Sequence, residues 1–230
     1  MTQQSKASAD DVIRQLKAQG STRHVEGMSR FGIQTSKALG VSLPQLRQIG
    51  RKLGQDHDLA QELWKTGFHE ARILASMIDI PEQVTMEQME RWAKEFDSWD
   101  IVDGCCGNLF DKTPFAVKKA KEWRKRPEEY VKRAGFVLMA GLAVHDKRMP
   151  DKTFLEFLLF IIEGSSDERN FVKKAVNWAL RQIGKRNKNL NNAAIRTARV
   201  IAKSNIRPAK WIASDAIREL ESPAVQKKLL

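Results

Sequence analysis

The chain has 230 residues, 42% of them hydrophobic, which suffices for one sizeable core, so a single domain over residues 1–230 is expected, with 1–20 as a loosely ordered N-terminal helix. Its 13 glycines, 7 prolines and single tyrosine argue against disordered and all-β classes, no apolar run approaches the roughly 18 residues that span a membrane, and the polar start lacks an export signal's apolar core. The net charge of +12 is uneven: residues 1–100 carry 13 basic against 14 acidic groups, residues 101–230 carry 27 against 14.

In chain order, apolar periodicity and capping signals predict helices over Ala9–Ala18, Arg23–Phe31, Leu43–Leu53, Leu59–Lys65, His69–Met77, Met86–Phe96 and Trp99–Phe110. They continue over Pro114–Lys125, Glu128–Val144, Asp151–Glu163, Asp167–Ile183, Leu190–Lys203 and Pro208–Leu220. Ser42, Thr85 and Ser165 each stand three residues before Gln or Glu, the spacing of a capping box. Pro114, Pro127, Pro208 and Pro223 sit where first-turn prolines are tolerated.

Arg133-Ala134-Gly135, Lys174-Ala175-Val176 and Asp215-Ala216-Ile217 recur every 41 residues, each opening a similar apolar run, and Glu70-Ala71-Arg72 opens Ile73-Leu74-Ala75 in the same style. A 41-residue period holding two helices is the spacing of HEAT-type repeats, so the expected fold is an all-α, HEAT-like helical-repeat solenoid (an α-α superhelix) with a concave basic groove.

Cys105 and Cys106 are adjacent, which disfavours a disulfide and does not match CxxC metal spacing. The four histidines are scattered, without an HExxH pattern. No metal and no cofactor are expected.

Between Arg169 and Ser214 stand twelve Lys or Arg residues and no Asp or Glu, a block that repels itself unless an anion neutralises it; nucleic acid is the commonest such partner. Lys174, Asn177, Arg181 and Lys185 follow i, i+3, i+7, i+11, and Arg196, Arg199 and Lys203 keep that spacing in the next predicted helix. With Lys185, Arg186 and Lys188 at one loop end, these cations are candidate ligands for a duplex phosphate backbone; a solubilising surface is the plainer reading.

The run Phe96 to Gly107 is unusual for a helix. It carries carboxylates at 97, 100 and 103, Trp99, and glycines at 104 and 107, and helix-interior glycines suggest close approach by another backbone or a ligand. Trp99 and Asp103 share a face. Trp99 is either core or part of a site, and Asp103 either pairs with a basic neighbour such as Arg133 or serves chemistry. Trp178, between Lys174 and Arg181, is either core or a stacking platform beside phosphate ligands.

Phe96-Asp97-Ser98-Trp99-Asp100-Ile101-Val102-Asp103, then Lys132-Arg133-Ala134, then Phe171 through Arg181 resemble the DNA alkylation repair family, the HEAT-like alkylpurine DNA glycosylases, in order over roughly residues 20 to 220. The resemblance implies hydrolysis of the N-glycosidic bond of cationic N3- or N7-alkylated purines in duplex DNA, without metal or cofactor. It casts Asp103 as the carboxylate that stabilises the oxocarbenium-like sugar and positions water. Trp99 and Trp178 then embrace the backbone at the lesion, Arg133 contacts phosphate or orients Asp103, and Phe31 matches in kind the family's aromatic beside the lesion. The alternative is a non-catalytic HEAT-like protein binding damaged or distorted DNA. In either case the expected protein is a cytoplasmic monomer whose partner is alkylated or distorted double-stranded DNA, nucleoid-associated if bacterial, with no membrane partner.

Overall fold

Polar side chains just ahead of the apolar runs cap the starts of seven helices among the described residues. In the computed structural model, which describes residues 7–229, these residues form fourteen α-helices and two short 3₁₀ turns, Pro81–Gln83 and Phe110–Lys112, and no strand. Two compact units result, one ending at Thr113 and one beginning at Pro114. No helix among the described residues is long and apolar enough to cross a membrane.

The first unit comprises α1 (Ala9–Gln19), α2 (Thr22–Ser29), α3 (Leu43–Leu53), α4 (His57–Lys65), α5 (His69–Ile78), α6 (Met86–Lys94) and α7 (Trp99–Asn108). Side-chain oxygens start several of them. Ser8 caps α1, Asp56 accepts from the Leu59 N–H at 3.1 Å, and Thr85 accepts from the Gln88 N–H at 3.2 Å. At α3 the Gln45 side chain reaches back to the Ser42 N–H at 3.0 Å. Helix α5 is the centre of this unit: it packs against α3, α4 and α7, and eight of its ten residues are buried. Trp64 of α4 and Trp92 of α6 stack at 4.0 Å.

The second unit comprises α8 (Ala116–Trp123), α9 (Glu129–His145), α10 (Asp151–Gly164), α11 (Asn170–Gly184), α12 (Lys188–Ala202), α13 (Arg207–Leu220) and α14 (Pro223–Lys228). Helices α9, α11 and α13 lie side by side in one layer, and α10 packs on α12 in another. The three triplets spaced 41 residues apart fall on α9, α11 and α13, as a two-helix repeat requires. Gly135 is needed where α9 meets the end of α8: a Cβ there would lie 2.5 Å from the Arg124 backbone nitrogen.

Local competition moved some expected boundaries. Ser165 does not start α11; its hydroxyl donates to the Ile162 carbonyl at 2.7 Å and closes α10. Asp167 instead accepts from the Arg169 N–H at 3.1 Å and postpones the next helix to Asn170. Pro114 and Pro127 lie before α8 and α9 rather than in their first turns, whereas Pro208 and Pro223 do occupy first turns. The six-residue α14, capped by Ser222, is too short to show periodicity, and Pro223 is the sequence signal that marks its start.

Candidate functional site

The first unit encloses a cavity of about 870 Å³, within the roughly 300–1,000 Å³ usual for ligand pockets. Its apolar wall includes Met28, Ile33, Leu46, Ile73 and Met77, and its polar lining includes His69, Asp100 and Asp103. Phe31 and Trp99 line it too, so three of the sequence-predicted site residues, Phe31, Trp99 and Asp103, meet at one cavity.

One side of this cavity is built by α2 and the segment that follows, and polar contacts hold it in place. Helix α2 buries none of its residues. Instead the Ser21 N–H donates to the Leu39 carbonyl at 2.9 Å, the His24 ring contacts the Gly40 carbonyl at 3.0 Å, and the His69 N–H donates to the Lys37 carbonyl at 3.0 Å. The Glu70 carboxylate, 1% exposed, accepts three successive backbone N–H groups, from Leu39 at 2.8 Å, Gly40 at 2.6 Å and Val41 at 3.3 Å. Charge-assisted bonds to a buried carboxylate are the strong kind. Gly40 turns with φ 79°, and a Cβ there would lie 2.1 Å from the Ser21 carbonyl oxygen, so only glycine fits.

Helix α7 supplies the carboxylates. Asp103 is half-buried one turn beyond Trp99, and Asp100 lies between them in sequence. Asp100 accepts from Ser98 Oγ at 2.7 Å and meets His69 Nε2 at 2.8 Å. Burial raises the Asp100 pKa, but the bonds from His69 and Ser98 and the charge His69 can carry outweigh it and hold this carboxyl below its ordinary range. Sequence reasoning missed His69 and Glu70 as parts of this site. Their signal is weak: both stand at the start of a predicted helix, 30–31 residues from their partners.

Close approach explains neither glycine of α7: a Cβ built on Gly104, which lines the cavity, would meet Ser76 Oγ and Ile73 of α5 at ordinary contact distances of 3.7 and 3.9 Å, and nothing lies within 4 Å of one built on Gly107. Cys105 and Cys106 are buried and not bridged. Burial pushes the Cys105 thiol up, which opposes the thiolate form that a nucleophile needs.

The remaining predicted residues belong to the second unit. Arg133 is 5% exposed and donates from Nη1 to the Phe171 carbonyl at 2.6 Å, fastening α9 to the start of α11. Trp178 is half-buried on α11, and Lys174, Lys188, Arg196, Arg199 and Lys203 are exposed. Arg181 and Lys185 turn toward α13, where both pair with Glu219, the lysine at 2.6 Å. Asn177, expected on their face, is buried and donates to Asp215 at 2.7 Å. Arg186 donates to the Ala143 and Met149 carbonyls at 3.1 and 2.9 Å and lies over the Phe154 ring. The basic block is therefore neutralised in part from inside: acids just outside it, Asp167, Glu219 and Glu221, reach back to Arg169, Arg181, Lys185 and Arg199. This corrects the expectation that only an outside anion relieves it. Among the described residues no group of three or more His, Cys, Asp or Glu is placed to hold a metal.

Comparison with known proteins agrees with this architecture. Residues 12–220 match the family model described as DNA alkylation repair enzyme. An uncharacterized protein of Listeria innocua is 24% identical over 218 residues, 92% of this chain and 95% of the relative. An uncharacterized protein of Listeria monocytogenes is 22% identical, covering 86% and 88%. A solved structure superposes with a TM-score of 0.78 at 19% identity, over 92% of this chain and 95% of the other. It is described as a new family related to the HEAT-like repeat DNA glycosylases with affinity for branched DNA structures, and the likeness shows that the fold is HEAT-like.

Proposed function

Because the chain belongs to the DNA alkylation repair enzyme family, we propose that it acts as a monomer on double-stranded DNA and hydrolyses the N-glycosidic bond of cationic N3- or N7-alkylated purines. The observation that carries this reading is the meeting of Phe31, Trp99 and Asp103 at one cavity, with the half-buried carboxylate one helical turn from the indole. An alkylated purine leaves with the electron pair of its C1′–N bond, which cancels its positive charge. The sugar left behind is oxocarbenium-like. Asp103 stabilises it and orients a water; water oxygen bonds to C1′, and its proton passes to the carboxylate and then to solvent. Trp99 and Phe31 flank the sugar, and Trp178 offers a further stacking surface on α11, whose start Arg133 secures. Phosphates are taken by the exposed cations Lys174, Lys188, Arg196 and Lys203, and by Arg199 in exchange for its exposed pairing with Glu221, while Arg181, Lys185 and Arg186 brace the helices that carry them. Release of free base from duplex DNA containing 7-methylguanine or 3-methyladenine tests this reading.

A second reading has support of its own. The solved relative's affinity for branched DNA structures favours a protein that holds distorted or branched DNA without cutting it. Competition between a four-way junction and a linear duplex of equal length separates the two: a strong junction preference with no base release supports binding alone.

A further inference from the structure

Average charge hides a local excess in the first unit. Residues 1–100 are nearly balanced, 13 basic against 14 acidic, but folding turns many of the acids inward or onto partners. Glu70 accepts backbone N–H groups, Asp79 accepts from Gln61 and Gln88 and meets His57, Asp100 holds His69, and Asp97 pairs with Arg72 at 3.4 Å. Arg47 and Arg51 are treated differently. They lie one turn apart on α3 and are exposed, and among the described residues neither has a carboxylate or carbonyl partner.

These two arginines and Lys112 line a groove of about 320 Å³ that contains no Asp or Glu in its lining; Gln55 and Asn108 complete its polar wall. Lys112 is fixed by donating from Nζ to the Asn108 carbonyl at 2.5 Å, and its ammonium keeps two further donors. Arg47, Met77 and Asn108 line both this groove and the cavity that contains Asp103, so the two are neighbours within one unit. Three cations set around an acid-free groove repel one another until an anion enters. Guanidinium forks roughly 5–6 Å apart at Cβ can engage phosphate oxygens in bidentate fashion.

We propose that the Arg47–Arg51–Lys112 groove is a phosphate-binding site for a nucleic-acid strand, separate from the basic helices of the second unit, which seats the phosphodiesters next to the nucleotide presented to the cavity. It rests on the DNA-binding part of the reading above and on none of its chemistry.

The test is fluorescence anisotropy of the full chain with labelled duplex DNA across a salt series, comparing wild type, R47Q/R51Q/K112Q and a second-unit variant, K174Q/K188Q/R196Q. Each phosphate contact contributes about 0.9 to the slope of log K against log salt. The first variant is expected to lose about 2–3 of that slope and at least about tenfold in affinity at low salt, with an unchanged helical circular dichroism spectrum. Should the triple variant melt early, Arg47→Gln and Arg51→Gln singly are each expected to lose about 0.9. An unchanged slope in the groove variants, with loss in the second-unit variant, overturns the groove and leaves the DNA reading standing. Absence of salt-dependent DNA binding by wild type overturns both.

Discussion

The indole Nε1 of Trp99 donates a 3.1 Å hydrogen bond to the backbone carbonyl of Phe31, a residue 68 positions earlier in the chain. Phe31 is 69% exposed, so packing alone does not set its position; the bond ties its turn to α7 at the cavity. Trp99→Phe keeps an aromatic ring and removes the donor. It is expected to cost about 0.5–1.5 kcal/mol of stability and to speed amide exchange at Phe31, Gly32 and Ile33.

Phe31→Ala separates fold from function in the same place. An exposed side chain contributes little to stability, so the melting free energy is expected to stay within about 0.5 kcal/mol of wild type. DNA affinity, measured by anisotropy, is expected to fall.

Glu70 carries a larger structural load, because both of its carboxylate oxygens are engaged: Oε2 accepts from Leu39, and Oε1 from Gly40 and Val41. In Glu70→Gln one of those oxygens becomes an NH₂ that faces an N–H donor. We expect a loss of about 1–3 kcal/mol in chemical denaturation, with exchange protection lost first in the 39–41 segment. Gly40→Ala, which forces a Cβ onto the Ser21 carbonyl, is expected to loosen the same segment.

The contrast between these residues and the basic helices shows what a sequence discloses. The 41-residue recurrence at Arg133, Lys174 and Asp215 was readable because each triplet occupies the same layer, on α9, α11 and α13. Trp99 and Asp103 were readable because a four-residue spacing on a helix needs no tertiary knowledge. The first unit runs on a different register, with Trp64–Glu95, His69–Asp100 and Leu39–Glu70 each 31 residues apart, so the longer period did not expose its pairs. The fates of Arg181, Arg186 and Arg133 were hidden for a related reason. Their partners lie 38, 43 and 38 residues away, and a helical stripe of cations reads the same whether a neighbouring helix or a phosphate neutralises it.

Two basic residues two positions apart, one in the turn before α12 and one at its first residue, give a direct check of that distinction. Arg186→Gln removes donors from the Ala143 and Met149 carbonyls and uncovers Phe154, so it is expected to destabilise by about 1–3 kcal/mol. Lys188→Gln, exposed, is expected to leave stability unchanged and to reduce the salt slope of DNA binding by about 0.9.

Asp167 links the second unit's stability to pH. Burial raises its pKa, but hydrogen bonds from Arg169 and Lys132 outweigh it and lower the carboxyl to about 2. A depressed acid stabilises the fold fully above its unfolded pKa of about 3.9 and ceases to do so as pH falls through the folded value. The stability difference between wild type and Asp167→Asn is therefore expected to be constant from pH 7 to about 5, on the order of 1–2 kcal/mol, and to close between about pH 4 and 2.

Asp103→Asn, nearly isosteric but uncharged, run beside wild type in a base-release assay on duplex DNA containing 7-methylguanine or 3-methyladenine, tests the central claim most directly. The account predicts that wild type releases free base, and that Asp103→Asn releases none while binding the same duplex at least as tightly. No release by wild type, with duplex binding intact in both proteins, would contradict it and leave a DNA-binding protein without this chemistry.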